Sequence, residues 1–385
     1  MRSQSGVVIA GSLAHRPFYG GHTWVLLQYL LGFRDLGWDV LFIDRLDEEM
    51  SVNKSGLPCP AEDSVNWSYL QAVMHDSGLD GSYALVAGER WLGLPLPDVL
   101  RRVRESALLI NVMGFMDHPD VLEAASVKVF LDIDPGFGQM WKEQGLDDIF
   151  GVHDCYLTVG ANIGKPGCAI PRAGIEWHPT PPPVVLRHWP VAGPGQGAFT
   201  SIGSWRGPFG PVDYQGRSFG LRVHEFRKFF ALPALTKQRF RAAIEIDPAD
   251  RQDVELLHSN GWELEDPRTA AGDPRSYRRY IQGSKAEFLV AKGMYVETCS
   301  GWISDRSVCF LASGKPVLAQ ETGLSDNYPT GEGLVTFSDL HEASDGAARI
   351  CADYPAHARR ARELAEGYFD SRKVLTSLVD LVGVS

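Results

Sequence analysis

Residues 300–323 read SGWISDRSVCFLASGKPVLAQETG, and this stretch sets the fold of the second half of the chain. Its polar opening predicts a loop, the apolar run up to Ala312 predicts a short helix, and Gly-Lys-Pro predicts a break before a strand that begins at Val317. A helix entered from a loop presents free backbone N–H groups and the positive end of its dipole, which suits a phosphate or diphosphate. The stretch therefore predicts the anion-binding loop of an α/β domain.

Strands and helices alternate in the same way along the rest of the chain. Short apolar runs that end at polar or glycine residues predict strands, and longer segments with apolar residues at helical spacing predict helices. Strands are predicted at 7–11, 38–44, 83–87, 107–112, 128–132, 154–159, 198–203, 240–246, 286–291 and 334–337, and helices at 24–36, 64–76, 97–105, 137–144, 221–230, 250–260, 340–354, 356–368 and 371–382. Parallel strands joined by helices form doubly wound sheets, which bind ligands at the carboxyl ends of their strands.

The length of the chain and a change of composition near residue 177 predict two domains. A chain of 385 residues is too long for one ordinary core, and it suits two domains of roughly 150 to 200 residues each. Residues 177–183 read WHPTPPP, and residues 191–197 are rich in Gly and Pro. Such proline-stiffened, extended chain predicts the linker in this region.

Charge and cysteine content restrict the partners and the location. The formal net charge is −11, which argues against a broad nucleic-acid surface because that surface needs clustered Lys and Arg. We therefore expect a nucleotide in a local pocket but no nucleic acid partner. The six scattered cysteines contain no CxxC pair, which predicts reduced thiols in a cytoplasmic protein. No apolar run approaches the roughly 20 residues that span a bilayer, so we expect no stable membrane insertion, while the oligomeric state stays open.

Two short segments resemble a known enzyme family. Gly20-Gly-His22 in the first loop and LASGKPVLAQETG at residues 311–323 look like motifs of the GT-B glycosyltransferases. The resemblance implies two Rossmann-like, doubly wound α/β domains that face each other across a cleft. It further implies an acceptor-binding domain at residues 1–190, a nucleotide-sugar-binding domain at residues 191–368, and a C-terminal helix at residues 369–385 that packs back on the first domain.

Members of this family move a sugar from a nucleoside-diphosphate donor to an acceptor. The resemblance implies a metal-independent hexosyltransferase with a UDP- or dTDP-linked sugar as co-substrate, no further cofactor, and a hydroxyl or amine of a small molecule or glycan as acceptor. One departure keeps alternatives open: the two glutamates that retaining members carry here fall on Gly301 and Cys309. A nucleotide-sugar 2-epimerase with the same domain plan and a catalytically inactive nucleotide-sugar-binding protein are the alternatives.

His22 and Asp134 are the candidates for the catalytic base. Gly20 and Gly21 let backbone approach a substrate, and the imidazole of His22 either accepts a proton from an acceptor hydroxyl or merely caps the following helix. Asp134 follows a predicted strand, so we expect it to face the cleft as an acceptor contact or alternative base. Asp132-Ile-Asp134 also matches a metal-binding DxD, but that motif belongs to another glycosyltransferase fold, so no metal site is predicted.

The donor pocket is predicted around the opening stretch and one upstream arginine. Arg206 follows the first strand of the second domain, where it either neutralises the departing diphosphate or is a solvated loop arginine. Lys292, beside a later strand, likewise either reaches a phosphate or is solvated. Donor contacts are predicted for Arg206, Ser300, Ser304, Asp305, Arg306, Gln320, Glu321, Thr322 and Gly323.

Different roles are expected within the opening stretch. Ser304 or Asp305 is the expected cap of the helix. Arg306 either binds a phosphate or pairs with a carboxylate. Glu321 follows the next strand, where GT-B enzymes hold the sugar, and we expect it to accept hydrogen bonds from sugar hydroxyls.

Overall fold

The computed structural model describes residues 5–151, 153–195, 197–207 and 209–384 as two α/β domains. Residues 1–4 and Ser385, which the predicted domain ranges include, lie outside this part of the chain. The predicted fold class is confirmed, because each domain has a sheet of mainly parallel strands with helices between them. Among the residues described, no helix is both long enough and apolar enough to cross a bilayer.

The first domain is built on an eight-stranded sheet. Its strands are β1 (Gly6–Gly11), β2 (Asp39–Arg45), β3 (Tyr83–Ala87), β4 (Arg90–Gly93), β5 (Ser106–Val112), β6 (Lys128–Asp132), β7 (Cys155–Thr158) and β8 (Trp177–Pro179). Its helices are α1 (Gly20–Asp35), α2 (Val65–Asp76), α3 (Leu96–Glu105), α4 (Pro119–Ala124) and α5 (Phe137–Glu143). The strand order is β4-β3-β2-β1-β5-β6-β7-β8, and neighbouring strands are parallel except β3 and β4.

Strand β1 lies inside the first sheet, and all six of its residues are buried. A continuous apolar run of this kind is expected for a parallel strand that helices cover on both faces. Helix α1 packs against the sheet through residues such as Leu26, Leu30 and Phe33, each at most 1% exposed. The loop between β1 and α1 therefore lies at the carboxyl edge of the sheet, where a doubly wound fold binds its ligand.

The second domain contains a six-stranded sheet and a small hairpin. Its strands are β9 (Ala198–Ser204), β10 (Val212–Tyr214), β11 (Arg217–Phe219), β12 (Arg239–Glu245), β13 (Glu263–Leu264), β14 (Ala286–Leu289), β15 (Val317–Gln320) and β16 (Leu334–Phe337). Its helices are α6 (Arg222–Phe226), α7 (Leu232–Leu235), α8 (Arg251–Ser259), α9 (Pro267–Ala271), α10 (Pro274–Gly283), α11 (Gly293–Glu297), α12 (Asp305–Ala312), α13 (Leu340–Ala352) and α14 (Tyr354–Leu364), followed by α15 (Ser371–Val382). The sheet has the parallel order β13-β12-β9-β14-β15-β16, and β10 with β11 forms the hairpin.

The opening stretch forms the helix and strand that its pattern predicts, α12 and β15. The helix stops at Gly314, which has a φ of 66°. The N–H of Lys315 donates to the carbonyl of Phe310 at 2.9 Å, so a carbonyl of the last turn is satisfied. This is the hydrogen bond of a glycine-terminated helix, and it turns the chain directly into β15.

Helix α15 leaves the second domain and packs against α1 of the first. A Cβ added at Gly32 of α1 would lie 2.6 Å from the Cδ1 of Leu375, so the two helices approach each other closely. The N–H of Val184 donates to the carbonyl of Phe369 at 2.7 Å, and the N–H of Ser371 donates back to the carbonyl of Val184 at 3.0 Å. The end of the chain is thereby fixed to the first domain.

The proline-rich segment differs from its prediction. The sequence predicts a linker from Trp177 onwards, but Trp177–Pro179 is strand β8, hydrogen-bonded to β7 at the edge of the sheet. Proline is tolerated there because the outer side of an edge strand needs no N–H donor. The first crossing between the domains therefore lies between β8 and β9.

Candidate active site

One ion pair joins the two domains across the cleft. Asp134 follows β6 in the first domain, and the Nζ of Lys292, between β14 and α11 in the second, lies 2.6 and 2.8 Å from its two carboxylate oxygens. The hydroxyl of Tyr295 in α11 donates to the same carboxylate. Both charged side chains are largely buried, with 18% of Asp134 and 12% of Lys292 exposed. Asp134 thus faces the cleft, as its place after a strand predicts.

Asp132 holds the turn that carries Asp134. Its carboxylate accepts hydrogen bonds from the backbone N–H of Asp134 at 3.1 Å, the amide of Gln139 at 2.7 Å and the hydroxyl of Thr158 at 2.9 Å. Burial raises the pKa of Asp132 to about 6, although these donors favour the ionised form. The first aspartate of the Asp-Ile-Asp segment therefore supports the loop, and the second reaches the cleft.

Lys292 lies in a positively charged region. Burial lowers its pKa, the carboxylate of Asp134 opposes this effect, and the guanidinium groups of Arg222 and Arg16 lower the pKa further. Its Nζ lies 4.9 Å from the centre of the Phe137 ring, whose face partly replaces the lost water. Arg16 comes from the β1–α1 loop and Arg222 begins α6, so both domains contribute cations to this region.

Arg222 is a partly buried cation with few partners. Its Nη1 donates to the carbonyl of Ser204 at 3.2 Å, while its Nε is buried without a hydrogen-bond partner in the described part of the chain. Among the described residues Arg222 forms no ion pair. Burial, followed by the nearby charge of Arg306, lowers its pKa to about 10. Gly203 makes room for this side chain, because a Cβ there would overlap Nη1 of Arg222.

Three cations and one carboxylate therefore come together in the cleft. The cations are Arg16, Arg222 and Lys292, and Asp134 is the carboxylate that pairs with Lys292. This set has an excess of positive charge and unused N–H donors, which are the groups that hold a polyanion such as a diphosphate. Asp134 adds a group that accepts protons. The arrangement places cationic hydrogen-bond donors beside a carboxylate between the two domains.

His22 lies in the first turn of α1, in the field of Arg16. Its Nε2 is 3.2 Å from the carbonyl oxygen of Ser12 and 3.3 Å from the Ser12 hydroxyl. Because a carbonyl only accepts, we assign the proton to Nε2 and the free lone pair to Nδ1. Burial, assisted by Arg16, lowers the pKa of His22 to about 4, so the ring is neutral at pH 7. The alternative role as helix cap does not fit, because Tyr19 occupies the N-cap position.

Gly20 and Gly21 begin α1 where it meets the second domain. A Cβ at Gly20 would overlap the backbone of Asp273, and a Cβ at Gly21 would lie 3.0 Å from the ring of Tyr277. The Nε1 of Trp24, one turn later, donates to the carbonyl of Pro274 at 2.9 Å. The two glycines thus permit close packing between the domains, and their contact with a substrate stays a prediction.

The first turn of α12 is occupied by protein contacts. Ser304 is the helix cap, since its hydroxyl accepts from the N–H of Arg306 at 3.1 Å. Asp305 lines a narrow pocket between α12 and α1, and burial raises its pKa. The Nε of Arg306 donates to Glu287 at 2.6 Å, and Glu287 is fully buried. Of the two roles predicted for Arg306, the structure shows the pairing with a carboxylate.

Ser300 and Gly323 enclose a side chain from the first domain. The amide of Asn162 donates to the carbonyls of Cys299 at 3.2 Å and Gly323 at 3.0 Å, and its backbone N–H donates to the carbonyl of Ser300 at 3.0 Å. A Cβ at Gly301 would lie 2.8 Å from the Asn162 side chain. A glutamate at position 301 therefore has no room beside Asn162. Donor contacts of Ser300 and Gly323 stay a prediction.

Gln320 and Thr322 use their polar groups within the second domain. The Nε2 of Gln320 donates to Glu225 at 2.7 Å, and its Oε1 accepts from the N–H of Ala291 at 3.1 Å. The hydroxyl of Thr322 donates to the carbonyl of Trp302 at 2.6 Å. Each of the two side chains is only 1% exposed. They fix the loops around the end of β15, and their contact with a sugar stays a prediction.

Glu321 and Arg206 are partly open to solvent. Glu321 accepts with one oxygen from the N–H groups of Thr322 at 3.1 Å and Ser325 at 3.3 Å, so it shapes the turn after β15. Arg206 forms a two-pronged ion pair with Asp250, at 2.7 and 2.6 Å, and 47% of its side chain is exposed. This pair holds Arg206 at the start of α8. Binding of sugar by Glu321 and of phosphate by Arg206 stays a prediction.

The sequence did not single out Arg16, Arg222, Tyr295 or Asn162, and it left Lys292 undecided. The strand order of the two sheets marks the positions of the three cations Arg16, Arg222 and Lys292. Strand order reverses between β1 and β5 in the first sheet and between β9 and β14 in the second, and ligands bind at such points. Arg16 follows β1, Arg222 follows β9 and its hairpin, and Lys292 follows β14. Tyr295 and Asn162 each form hydrogen bonds with the other domain. Such contacts between distant positions leave no pattern in the neighbouring sequence.

Comparison with known proteins gives structural matches only. No protein-family model and no curated sequence matches the chain. An alpha-glucosyltransferase (AGT) in complex with UDP matches with a TM-score of 0.59 at 12% identity, over 98% of this chain and 99% of that chain. AviGT4, a glycosyltransferase involved in avilamycin A biosynthesis, matches with 0.58 at 13% identity, over 98% and 97%. HepE from Anabaena, in complex with UDP and glucose, matches with 0.58 at 11% identity, over 99% and 100%.

The exclusion of nucleic acid partners on the basis of net charge is wrong. Another structure of an alpha-glucosyltransferase, with a TM-score of 0.57 at 11% identity, contains UDP and a 13-mer DNA with a HMU base. A protein of this fold therefore binds DNA together with a nucleotide. The net charge of −11 is a sum over the whole chain, and it does not describe the potential along one cleft.

The matches cover nearly the whole length of both chains. They extend over both doubly wound sheets of this chain and over α15, which returns to α1. The resemblance inferred from the sequence is confirmed at the level of the fold. This chain has the GT-B fold of nucleotide-sugar glycosyltransferases.

Proposed function

We propose that this chain is a glycosyltransferase that moves a sugar from a nucleoside-diphosphate donor to a hydroxyl or amine of an acceptor. The main support is the cluster of Arg16, Arg222 and Lys292 around Asp134, which offers unused cationic donors and a proton acceptor in one cleft. UDP in matched structures favours a UDP-linked sugar over a dTDP-linked one. In this proposal the protein's own cations, and no metal ion or further cofactor, neutralise the diphosphate.

The diphosphate is the leaving group of the reaction. As the bond between the anomeric carbon and the phosphate oxygen breaks, that oxygen takes the electron pair, and Arg222 and Lys292 stabilise its growing charge. The acceptor oxygen forms the new bond to the anomeric carbon and passes its proton to a base. The two domains enclose the cleft, which keeps water from hydrolysing the donor.

Asp134 is our first choice for the base. It belongs to the cluster that would hold the diphosphate, so its carboxylate is close to the place where the anomeric carbon would lie. His22 is the second choice, because its neutral ring keeps a lone pair on Nδ1. Its pKa of about 4 makes it a weak base at neutral pH.

Replacing His22 by Ala separates the two candidates. We expect His22→Ala to lower kcat by less than about tenfold and Asp134→Asn to lower it by roughly 100-fold or more, since loss of a general base typically costs 10²–10⁴-fold. The measurement is release of UDP with saturating donor and acceptor, together with the Kd for UDP. A 100-fold loss in His22→Ala with unchanged UDP affinity would make His22 the base.

A panel of nucleotide sugars tests the function itself. Release of a nucleoside diphosphate supports a transferase, reversible isomerisation of the sugar supports a 2-epimerase, and binding without turnover supports an inactive binding protein. UDP at 100 times its Kd should stabilise the fold by about 2.7 kcal/mol. Thermal unfolding that does not shift with any nucleoside diphosphate would contradict a donor site in this cleft.

The acceptor is proposed to be a small molecule or glycan. Phe18 and Tyr19 lie on the β1–α1 loop with 45% and 42% of their surface exposed, and aromatic faces pack well against sugar rings. The Tyr19 hydroxyl also donates to Glu245 of the second domain at 2.5 Å, which places this loop at the cleft. An acceptor panel should contain DNA beside glycans.

The six cysteines are all unpaired, which supports the proposed cytoplasmic location.

A further inference from the structure

The carboxylate of Asp134 is bound in the way a phosphate oxygen would be. Both of its oxygens lie within 2.8 Å of the Nζ of Lys292, and the hydroxyl of Tyr295 also donates to it. A phosphate group makes the same charge-assisted hydrogen bonds to lysine and tyrosine. We propose that Asp134 is an internal anion that competes with the donor's diphosphate for Lys292, so that donor binding releases the base. This inference rests on the proposed function.

The charges around Lys292 favour such an exchange. Asp134 is the ion-pair partner of Lys292, whereas Arg16 and Arg222 form no ion pair among the described residues. The carboxylate of Asp134 acts on both Lys292 and Arg222. Glu287, another carboxylate near Arg222, is already paired with Arg306. A diphosphate carries more negative charge than a carboxylate and offers more acceptor oxygens, so it satisfies the set better.

The local structure allows the Asp134 side chain to move while its loop stays in place. The backbone N–H of Asp134 is held by Asp132, and the N–H of Gly136 donates to Gln139 at 2.8 Å. The bonds of the Asp134 carboxylate itself go to Lys292 and Tyr295, both in the second domain. Exchange of Lys292 onto a phosphate thus requires rotation of two side chains and no change in the sheet.

Transfer of Lys292 from Asp134 to the diphosphate changes whether the Asp134 carboxylate can act as a base. While Lys292 and Tyr295 bind the carboxylate, its oxygens are occupied by their hydrogen bonds and cannot receive the hydrogen bond of an acceptor hydroxyl. Once Lys292 turns to the diphosphate, a carboxylate oxygen of Asp134 is free to accept the hydrogen bond of an acceptor hydroxyl and then its proton. The base is therefore available only when the donor is bound, which makes donor binding precede productive acceptor binding.

The sharpest test is the affinity of Asp134→Asn for the anion. We expect this variant to bind inorganic pyrophosphate and UDP about tenfold more tightly than the wild type, within the usual range of coupling between sites, because asparagine keeps the shape but does not compete as an anion. Isothermal titration calorimetry measures both affinities. Asp134→Ser, with near-ultraviolet circular dichroism as a check of folding, serves as a second variant and should show the same direction.

Glu245→Gln is the matched control. It weakens another carboxylate contact between the domains, which Tyr19 makes at 2.5 Å, without touching the cations. If looser domains were the cause of tighter binding, Glu245→Gln would also bind more tightly; we expect its affinities to equal those of the wild type.

The possible results distinguish failure of the competition at Lys292 from failure of the proposed glycosyltransferase function. Equal or weaker binding of pyrophosphate and UDP by both Asp134 variants overturns the competition, even when wild-type binding of UDP upholds the proposed function. Tighter pyrophosphate binding by the variants, with no nucleoside diphosphate bound by any protein, upholds the competition and overturns the proposed function. Absence of pyrophosphate and UDP binding in every protein overturns both.

Discussion

An Arg222→Met variant is expected to lose affinity for UDP and at the same time to gain stability. Arg222 has its Nε buried without a partner and no ion pair among the described residues, and burial lowers its pKa to about 10. A charge held in this way costs folding free energy, and methionine fills similar space without that cost. We expect the free energy of unfolding to rise by about 1 kcal/mol.

The loss of affinity should be larger than the gain in stability. Hydrogen bonds to charged groups contribute about 1.5–3 kcal/mol, so UDP binding should weaken by roughly 10- to 100-fold. Calorimetry with UDP and denaturant unfolding measure the two effects on the same preparations. A loss of UDP affinity together with a gain in the free energy of unfolding would identify Arg222 as a residue that binds the ligand and destabilises the fold.

Arg227→Met is the control for Arg222→Met. Arg227 lies in the same region of the sequence, but it pairs with Asp253 at 2.8 Å and 44% of it is exposed. We expect unchanged UDP binding and no gain in stability from this variant. Should Arg222→Met bind UDP as the wild type does, the anion site would not include Arg222.

A Glu287→Ala variant is expected to have the largest effect on stability. Glu287 is fully buried and accepts from the Nε of Arg306 at 2.6 Å, and Arg306 is only 9% exposed. Removal of Glu287 leaves a buried guanidinium without its counter-ion, which typically costs about 3–5 kcal/mol. Denaturant unfolding of wild type and variant measures the loss.

Two further variants show whether the pair itself is the cause. Adding Arg306→Met to Glu287→Ala removes the orphaned charge and should recover most of the lost free energy. Glu263, whose side chain is 36% exposed, pairs with Arg239 and Arg241 in the same domain, and Glu263→Ala should cost far less. A Glu287→Ala protein as stable as the wild type would mean that Arg306 reaches solvent or another partner.

Local patterns in the sequence predict the elements of this fold well. The apolar run that ends at Gly314 has helical spacing and a glycine stop, and the structure has α12 and β15 there. The amphipathic segment 371–382 is helix α15 with the same bounds. In both cases neighbouring residues carry the information, because caps, periodicity and glycine stops act over one or two helical turns.

The site could be predicted only in part, because its contacts join distant positions. Asp134 and Lys292 are 158 positions apart, and Asn162 and Gly323 are 161 apart. The sequence places Asp134 at the cleft through its strand, but nothing near position 134 reports that a lysine of the other domain binds it. For the same reason the sequence does not report that Asn162 of the first domain lies against Ser300, whose contact with a donor stays a prediction.

Helices α9 and α10 were missed for a different reason. The segment 267–283 is rich in arginine and has few apolar residues, with Tyr277 and Ile281 as the buried side chains of α10. In such a helix the polar residues dominate the sequence, and the few apolar residues are too few to show helical periodicity. Asp273 caps α10 by accepting from Ser276 at 3.0 Å, and this cap was the available signal for a helix start.

The contact of α15 with α1 determines when, during synthesis of the chain, the first domain completes its packing. On a ribosome the first domain emerges before the second, and elongation at about 5–20 residues per second makes the stretch from residue 191 to residue 382 take roughly 10–40 s. Through that interval the surface of α1 around Gly32, which Leu375 later contacts, has no cover from α15. The first domain therefore carries an exposed helix face throughout synthesis of the second, and it reaches its final packing only when the last helix has emerged.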